Sequence, residues 1–203
     1  MNKLSHGIAS ISLALLSLNI LAVDLTATLP SRLADIKAGE RQIELLGTPA
    51  ILQQAAPDFK VADQAFKAVK LSDFKGKTVL LSVVPSLDTG VCSIQTKKFN
   101  QEVAALPAEV VILTISTDLP FAQKRFCVQE KVDKLLVLSD AVWGDFGSSY
   151  GLRIKDMGIL SRAVLIIDAS GKLVYQQLVP SLGQEPDYAA ALTELKTISA
   201  KKS

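Results

Sequence analysis

Two cysteines carry the chemical interest of this chain, and the first sits where a thiol gains reactivity. Cys92 closes the stretch Pro85-Ser86-Leu87-Asp88-Thr89-Gly90-Val91-Cys92. An apolar run from Val79 to Val84 leads into it and reads as a buried strand. Behind it Phe99, Val103 and Leu106 recur at helical spacing, so a helix begins near the cysteine. Strand, tight loop, helix places a side chain over the positive end of a helix dipole. A thiol held there has its thiolate stabilised, and the thiolate is the reactive form. The competing account is a buried, inert thiol, a common fate of cysteine. Thr89, about one helical turn earlier, offers a hydroxyl to the sulfur or simply caps the helix. Pro85, with no N–H and a fixed φ, shields the sulfur and shapes the loop, or merely ends the strand.

Other chemistries are narrowed by what is missing. The single histidine, His6, lies in an N-terminal leader. Met1-Asn2-Lys3 gives that leader a positive start, Ile8 to Ala22 is mostly apolar, and no acid precedes Asp24. This is a secretory pattern, with cleavage expected after Ala22, and the run falls short of the ~20 residues that span a bilayer. The mature chain would then hold no histidine, which excludes a Ser-His-Asp triad, a Cys-His pair and a His-based metal site. Two cysteines cannot complete a Cys-rich zinc site. A net charge of +2 with no cluster of Lys or Arg gives nucleic acid no footing.

Pro85, Thr89 and Cys92 fit the pattern P-x-x-x-T-x-x-C. The run PSLDTGVC, followed by DLPFAQKRFC from Asp118 to Cys127, resembles the thiol peroxidase branch of the peroxiredoxin family. The similarity extends from about Ala56 to the C-terminus. The resemblance implies that Cys92 attacks the O–O bond of a hydroperoxide and becomes a sulfenic acid. It also implies that Arg162, in Ser161-Arg162-Ala163-Val164 just before a strand, is the active-site arginine, which lowers the thiol pKa and orients the peroxide. Composition alone would leave Arg162 a solvated strand-end residue. Cys127 would attack the sulfenic acid and leave a Cys92–Cys127 disulfide. Thioredoxin or a thioredoxin-like dithiol would reduce that bridge again.

Hydrogen peroxide and organic hydroperoxides are the implied substrates, no metal, haem or flavin is called for, and the branch is typically homodimeric. The leader implies export to a bacterial periplasm, with no membrane attachment after cleavage. The rival reading is a non-catalytic thioredoxin-fold domain with one structural disulfide, which two cysteines in an exported chain also suit. A disulfide carrier would want a C-x-x-C pair. Phe121 and Phe126 are read as core or pocket lining.

The elements that must position these residues divide the chain into a signal segment over 1–22, a loose lead-in over 23–41 and one domain over 42–203. The domain opens with a hairpin, Gln42 to Leu46 against Ala50 to Leu52, turning at Gly47-Thr48-Pro49. Strands follow at Val79–Val84, Val110–Ile115 and Leu135–Leu138, with helices after Cys92, from Pro120 and ending near Gly151. A second hairpin, Ala163–Ile167 with Leu173–Leu178, turns through Asp168–Lys172, and a last helix runs from Asp187 to about Ser199. Strands alternating with helices predict a mixed central sheet covered on both faces. The family resemblance makes that α/β sheet thioredoxin-like.

Overall fold

The computed structural model describes residues 29–200. The expected leader, 1–22, and the first part of the lead-in lie outside the described residues. Among the described residues no helix is long and apolar enough to cross a membrane.

A seven-stranded mixed sheet organises the chain. Three of its strands are parallel, β5 (Thr78–Val83), β6 (Val110–Ser116) and β7 (Leu136–Ser139). β9 (Ala163–Ile167) and β10 (Leu173–Leu178) extend it antiparallel on one side. The short hairpin β3 (Lys60–Ala62) and β4 (Ala68–Lys70) closes the other, giving the order β10-β9-β5-β6-β7-β3-β4.

All six residues of β5 are buried. That explains its unbroken apolar run, since a strand covered on both faces needs apolar residues at every position. Val79, Leu81 and Val83 pack with Phe146 and Tyr150 of the short helix α3 (Asp145–Ser149) and its cap. Leu80 and Val84 point the other way, into a cluster with Phe99, Phe126, Ala191 and Leu195. Those four come from α1 (Gly90–Glu102), α2 (Pro120–Glu130) and α4 (Tyr188–Ala200). Truncating Leu80 to Ala would cost about 2–5 kcal/mol, the usual range for a filled core site.

A separate three-stranded sheet joins β1 (Ser31–Ala38), β2 (Arg41–Leu46) and β8 (Arg153–Ile154). The chain does have an N-terminal hairpin, but its arms differ from those expected. Gln42 to Leu46 belongs to the second arm, the turn is Gly39-Glu40 (φ +61° at Gly39), and the first arm is β1. The part of 23–41 expected to be loose is therefore structured from Ser31 onward, and the body of the fold begins before residue 42. Ala34 and Ile36 face inward between exposed Asp35 and Lys37. With an alanine as one of only two inward anchors, the alternation carries little apolar weight.

Residues 47–52, expected as a hairpin turn at 47–49 and an arm over 50–52, instead cross toward α3, with Thr48 N–H donating to Ser148 O at 2.9 Å. Gly47, at φ +104°, permits that crossing, because a Cβ there would run into the Ser148 backbone.

Candidate active site

Pro85 ends the strand and starts the loop. Val84 N–H still donates to Ile115 O at 3.0 Å, whereas Pro85 has no proton to continue the ladder and its ring is buried. Ser86 O then gathers the loop, accepting Thr89 N–H at 3.1 Å and the Thr89 hydroxyl at 3.0 Å. Thr89 stands at the N-cap of α1 without a side-chain capping bond. Its proton goes to Ser86 O rather than to the sulfur, which leaves the lone pairs of its oxygen to accept.

Cys92 lies in the first turn of α1 and is completely buried. The partner of its sulfur is Arg162, whose Nη2 donates to Sγ at 3.2 Å. Arg162 itself is only 1% exposed, a heavy demand for a guanidinium, which needs several acceptors when taken out of water. The acceptors are present. Nη1 donates to Gln95 Oε1 at 2.8 Å, Nη2 also to Leu182 O at 2.7 Å, and Nε to the same carbonyl at 3.3 Å. Gln95 is fixed in turn by donating Nε2 to Ser82 Oγ at 2.9 Å.

The Leu182 carbonyl is held from the N-terminal sheet. Lys37 N–H donates to Pro180 O at 2.9 Å, and Leu182 N–H donates to Lys37 O at 3.0 Å. The strand, the helix and the loop after β10 thus converge on one sulfur.

Gln95 escaped the sequence reading. Its signal was its spacing, since three residues beyond Cys92 is the same face of α1. A polar residue on that otherwise buried face needed a partner.

Cys127, on α2, is half-buried, and its sulfur accepts from Gln64 Nε2 at 3.2 Å. Burial pushes its thiol up, with the Gln64 amide working against that. Both cysteines are free thiols held by different partners, so the pairing expected from the resemblance is not made in this structure. Cys127 nonetheless packs against the cluster that encloses Cys92. Phe126 is buried as core, but Phe121 is 69% exposed and lies at a tilt against Phe66 with ring centroids 4.9 Å apart, so it does not join the core.

A buried cationic fork, a helix N-terminus and a sulfur at hydrogen-bond distance form an arrangement suited to holding and activating a thiolate. Comparison with known proteins agrees. The Redoxin family model matches residues 52–192. A thiol peroxidase of Oceanobacillus iheyensis is 46% identical over 153 residues, 75% of this chain and 93% of its own. One from Staphylococcus aureus is 48% identical over 143 residues, 70% of this chain and 86% of its own. The crystal structure of a peroxiredoxin-like protein from Aquifex aeolicus superposes with a TM-score of 0.76 at 35% identity, covering 82% of this chain and 98% of its own. Motif, geometry and likeness converge: the chain belongs to the redoxin family, in the thiol peroxidase branch of the peroxiredoxins.

Proposed function

We propose that this protein is a thiol-dependent peroxidase that reduces hydrogen peroxide and organic hydroperoxides through Cys92. The observation that carries the reading is the Arg162 Nη2 donor 3.2 Å from a buried Cys92 Sγ in the first turn of α1. The Cys92 thiolate attacks the terminal peroxide oxygen and the O–O bond breaks. Sulfur gives up two electrons and becomes a sulfenic acid, and the departing alkoxide or hydroxide takes a proton to leave as alcohol or water. The Arg162 fork stabilises the negative charge as it moves from sulfur to the leaving oxygen. The Thr89 oxygen, its own proton already engaged with Ser86 O, accepts a hydrogen bond from the peroxide O–H. Pro85 keeps water off the sulfur.

Cys127 then attacks the Cys92 sulfenic sulfur as thiolate, the S–O bond breaks, and hydroxide leaves and is protonated to water. An intramolecular disulfide results. A thioredoxin-like dithiol returns both thiols and is itself oxidised. The protein acts as a homodimer, exported by its leader to the periplasm.

The two cysteine variants test the assignment. Cys92→Ser abolishes peroxide reduction, because a serine hydroxyl at neutral pH is too weakly ionised to attack. Cys127→Ser completes the first step and stops as a Cys92 sulfenic acid, trapped by a dimedone-type reagent and detected by mass spectrometry. A merely structural bridge would have both variants lose stability alike with no change in peroxide consumption.

A further inference from the structure

The two cysteine-bearing segments meet at the carboxylate that opens the run from Asp118 to Cys127. Asp118 lies two residues before the start of α2, next to the N-cap Leu119. Its Oδ1 accepts the Ser86 hydroxyl at 2.7 Å, and its Oδ2 accepts Leu87 N–H at 2.7 Å and the Ser116 hydroxyl at 2.8 Å. Its backbone is fixed as well, with the Ser139 hydroxyl donating to Asp118 O at 2.6 Å and Asp118 N–H donating to Ser116 Oγ at 3.3 Å. Gln123 Nε2, from α2, donates to Ser116 Oγ at 3.0 Å and to Leu138 O at 2.8 Å. A rigid acidic post at the foot of the Cys127 helix therefore grips the two residues that follow Pro85 in the Cys92 loop.

We propose that Asp118 is a positioning residue that sets how the oxidised Cys92 divides between disulfide formation and over-oxidation, by holding the Cys92 loop in its folded form. The inference rests on the reading of Cys92 and Cys127 given above. Cys92 is sealed from solvent with its sulfur on Arg162, while the Cys127 sulfur is on Gln64. For the sulfurs to bond, each must leave its present partner, and movement of the Ser86-Leu87 loop or of the start of α2 would break the bonds to Asp118.

Bonds to a charged acceptor are about twice as strong as neutral ones, and Leu87, 4% exposed, has little water to replace its lost partner. The remaining side-chain ties between α1 and α2 are slighter. They are a solvent-exposed Lys97–Glu130 ion pair and bonds from Asn100 to the turn after α2, with Lys134 N–H donating to Asn100 Oδ1 at 2.8 Å. Asp118 is thus the latch that favours peroxide reduction and delays the bridge. While the bridge is delayed, a second peroxide can carry the sulfenic acid to sulfinic acid.

The test compares the full chain with Asp118→Asn and Ser86→Ala after one equivalent of hydrogen peroxide, quenched in time and read by mass spectrometry. Thermal melts are run in parallel. Asp118→Asn keeps the shape but turns an NH2 group toward donors. Its disulfide should form about five-fold faster, the factor expected from one net hydrogen bond. Its first step should be no faster, and its sulfinic fraction under excess peroxide should fall. Ser86→Ala should move the same way by less, and supplies the answer if Asp118→Asn does not fold. Disulfide formation that is unchanged, or slowed along with the first step as the melting temperature drops, would overturn the latch. A parent protein that forms no sulfenic acid on Cys92 would instead overturn the peroxidase reading, and the latch with it.

Discussion

Cys127 is a thiol that its surroundings keep protonated. Burial pushes it above the ordinary thiol range, and the Gln64 amide, donating to Sγ at 3.2 Å, offsets only part of that. Since the attacking species is the thiolate, its fraction at neutral pH is small and grows as pH rises toward the raised value. The disulfide step should therefore accelerate steadily from neutral pH upward, and Gln64→Ala should slow it at neutral pH without altering peroxide reduction. Rapid-quench mass spectrometry across pH measures this, and a flat profile would contradict it.

At the same scale, Pro85, Thr89 and Cys92 were legible because they are close in sequence and each has a chemical reason to be there. Arg162 was legible only through the resemblance. Its burial depends on Gln95, Leu182 O and Cys92 arriving from three distant segments, and no local pattern announces such a meeting. Asp118 was read as the first residue of the run that ends at Cys127, and its grip on Ser86 and Leu87 belongs to the tertiary fold.

Helix α3 shows an element whose first turn is bound by a buried acid. Asp140, 2% exposed, accepts Phe146 N–H on Oδ1 and Gly147 N–H on Oδ2, both at 2.9 Å. Burial raises its carboxyl to about 6, with Asp145 adding to the rise and the two N–H donors and Arg153 opposing it. The folded state thus holds this proton more tightly than the unfolded chain, where an Asp titrates near 3.9. The stabilising contribution is complete below about pH 4 and is lost as pH rises through about 6.

Going from pH 7 to pH 5 should favour the parent over Asp140→Asn by a further ~1 kcal/mol, because the amide cannot titrate and other groups cancel in the difference. Urea unfolding of both proteins at the two pH values measures it, and an unchanged difference would refute the linkage. Among the elements, the strong apolar periods of β5, β6 and β9 and the Gly-containing turn before β10 were readable. β1, the β3–β4 pair and β8 were not, since they are short or rest on small inward residues such as Ala34.

For the molecule as a whole, the proposed export sets where the chemistry would happen. Lys3 followed by the apolar run to Ala22 should direct export, so the mature chain is expected to begin near Val23 in an extracytoplasmic fraction. N-terminal sequencing that finds intact Met1 in the cytoplasm would refute this. An oxidising compartment favours the disulfide form, so turnover there depends on electrons brought across a membrane.

The pairing of Lys37 with Pro180 and Leu182 has a further consequence, which concerns time. Lys37 is among the first residues of the fold to leave a ribosome or a translocation channel, and Leu182 is among the last. The carbonyl that aims the guanidinium at Cys92 is anchored only when those two ends of the chain meet. A nascent or half-exported polypeptide thus carries its cysteine long before it carries a competent centre. Activity should switch on late and all at once as synthesis is completed, leaving the unfinished chain's thiol little more reactive than any other.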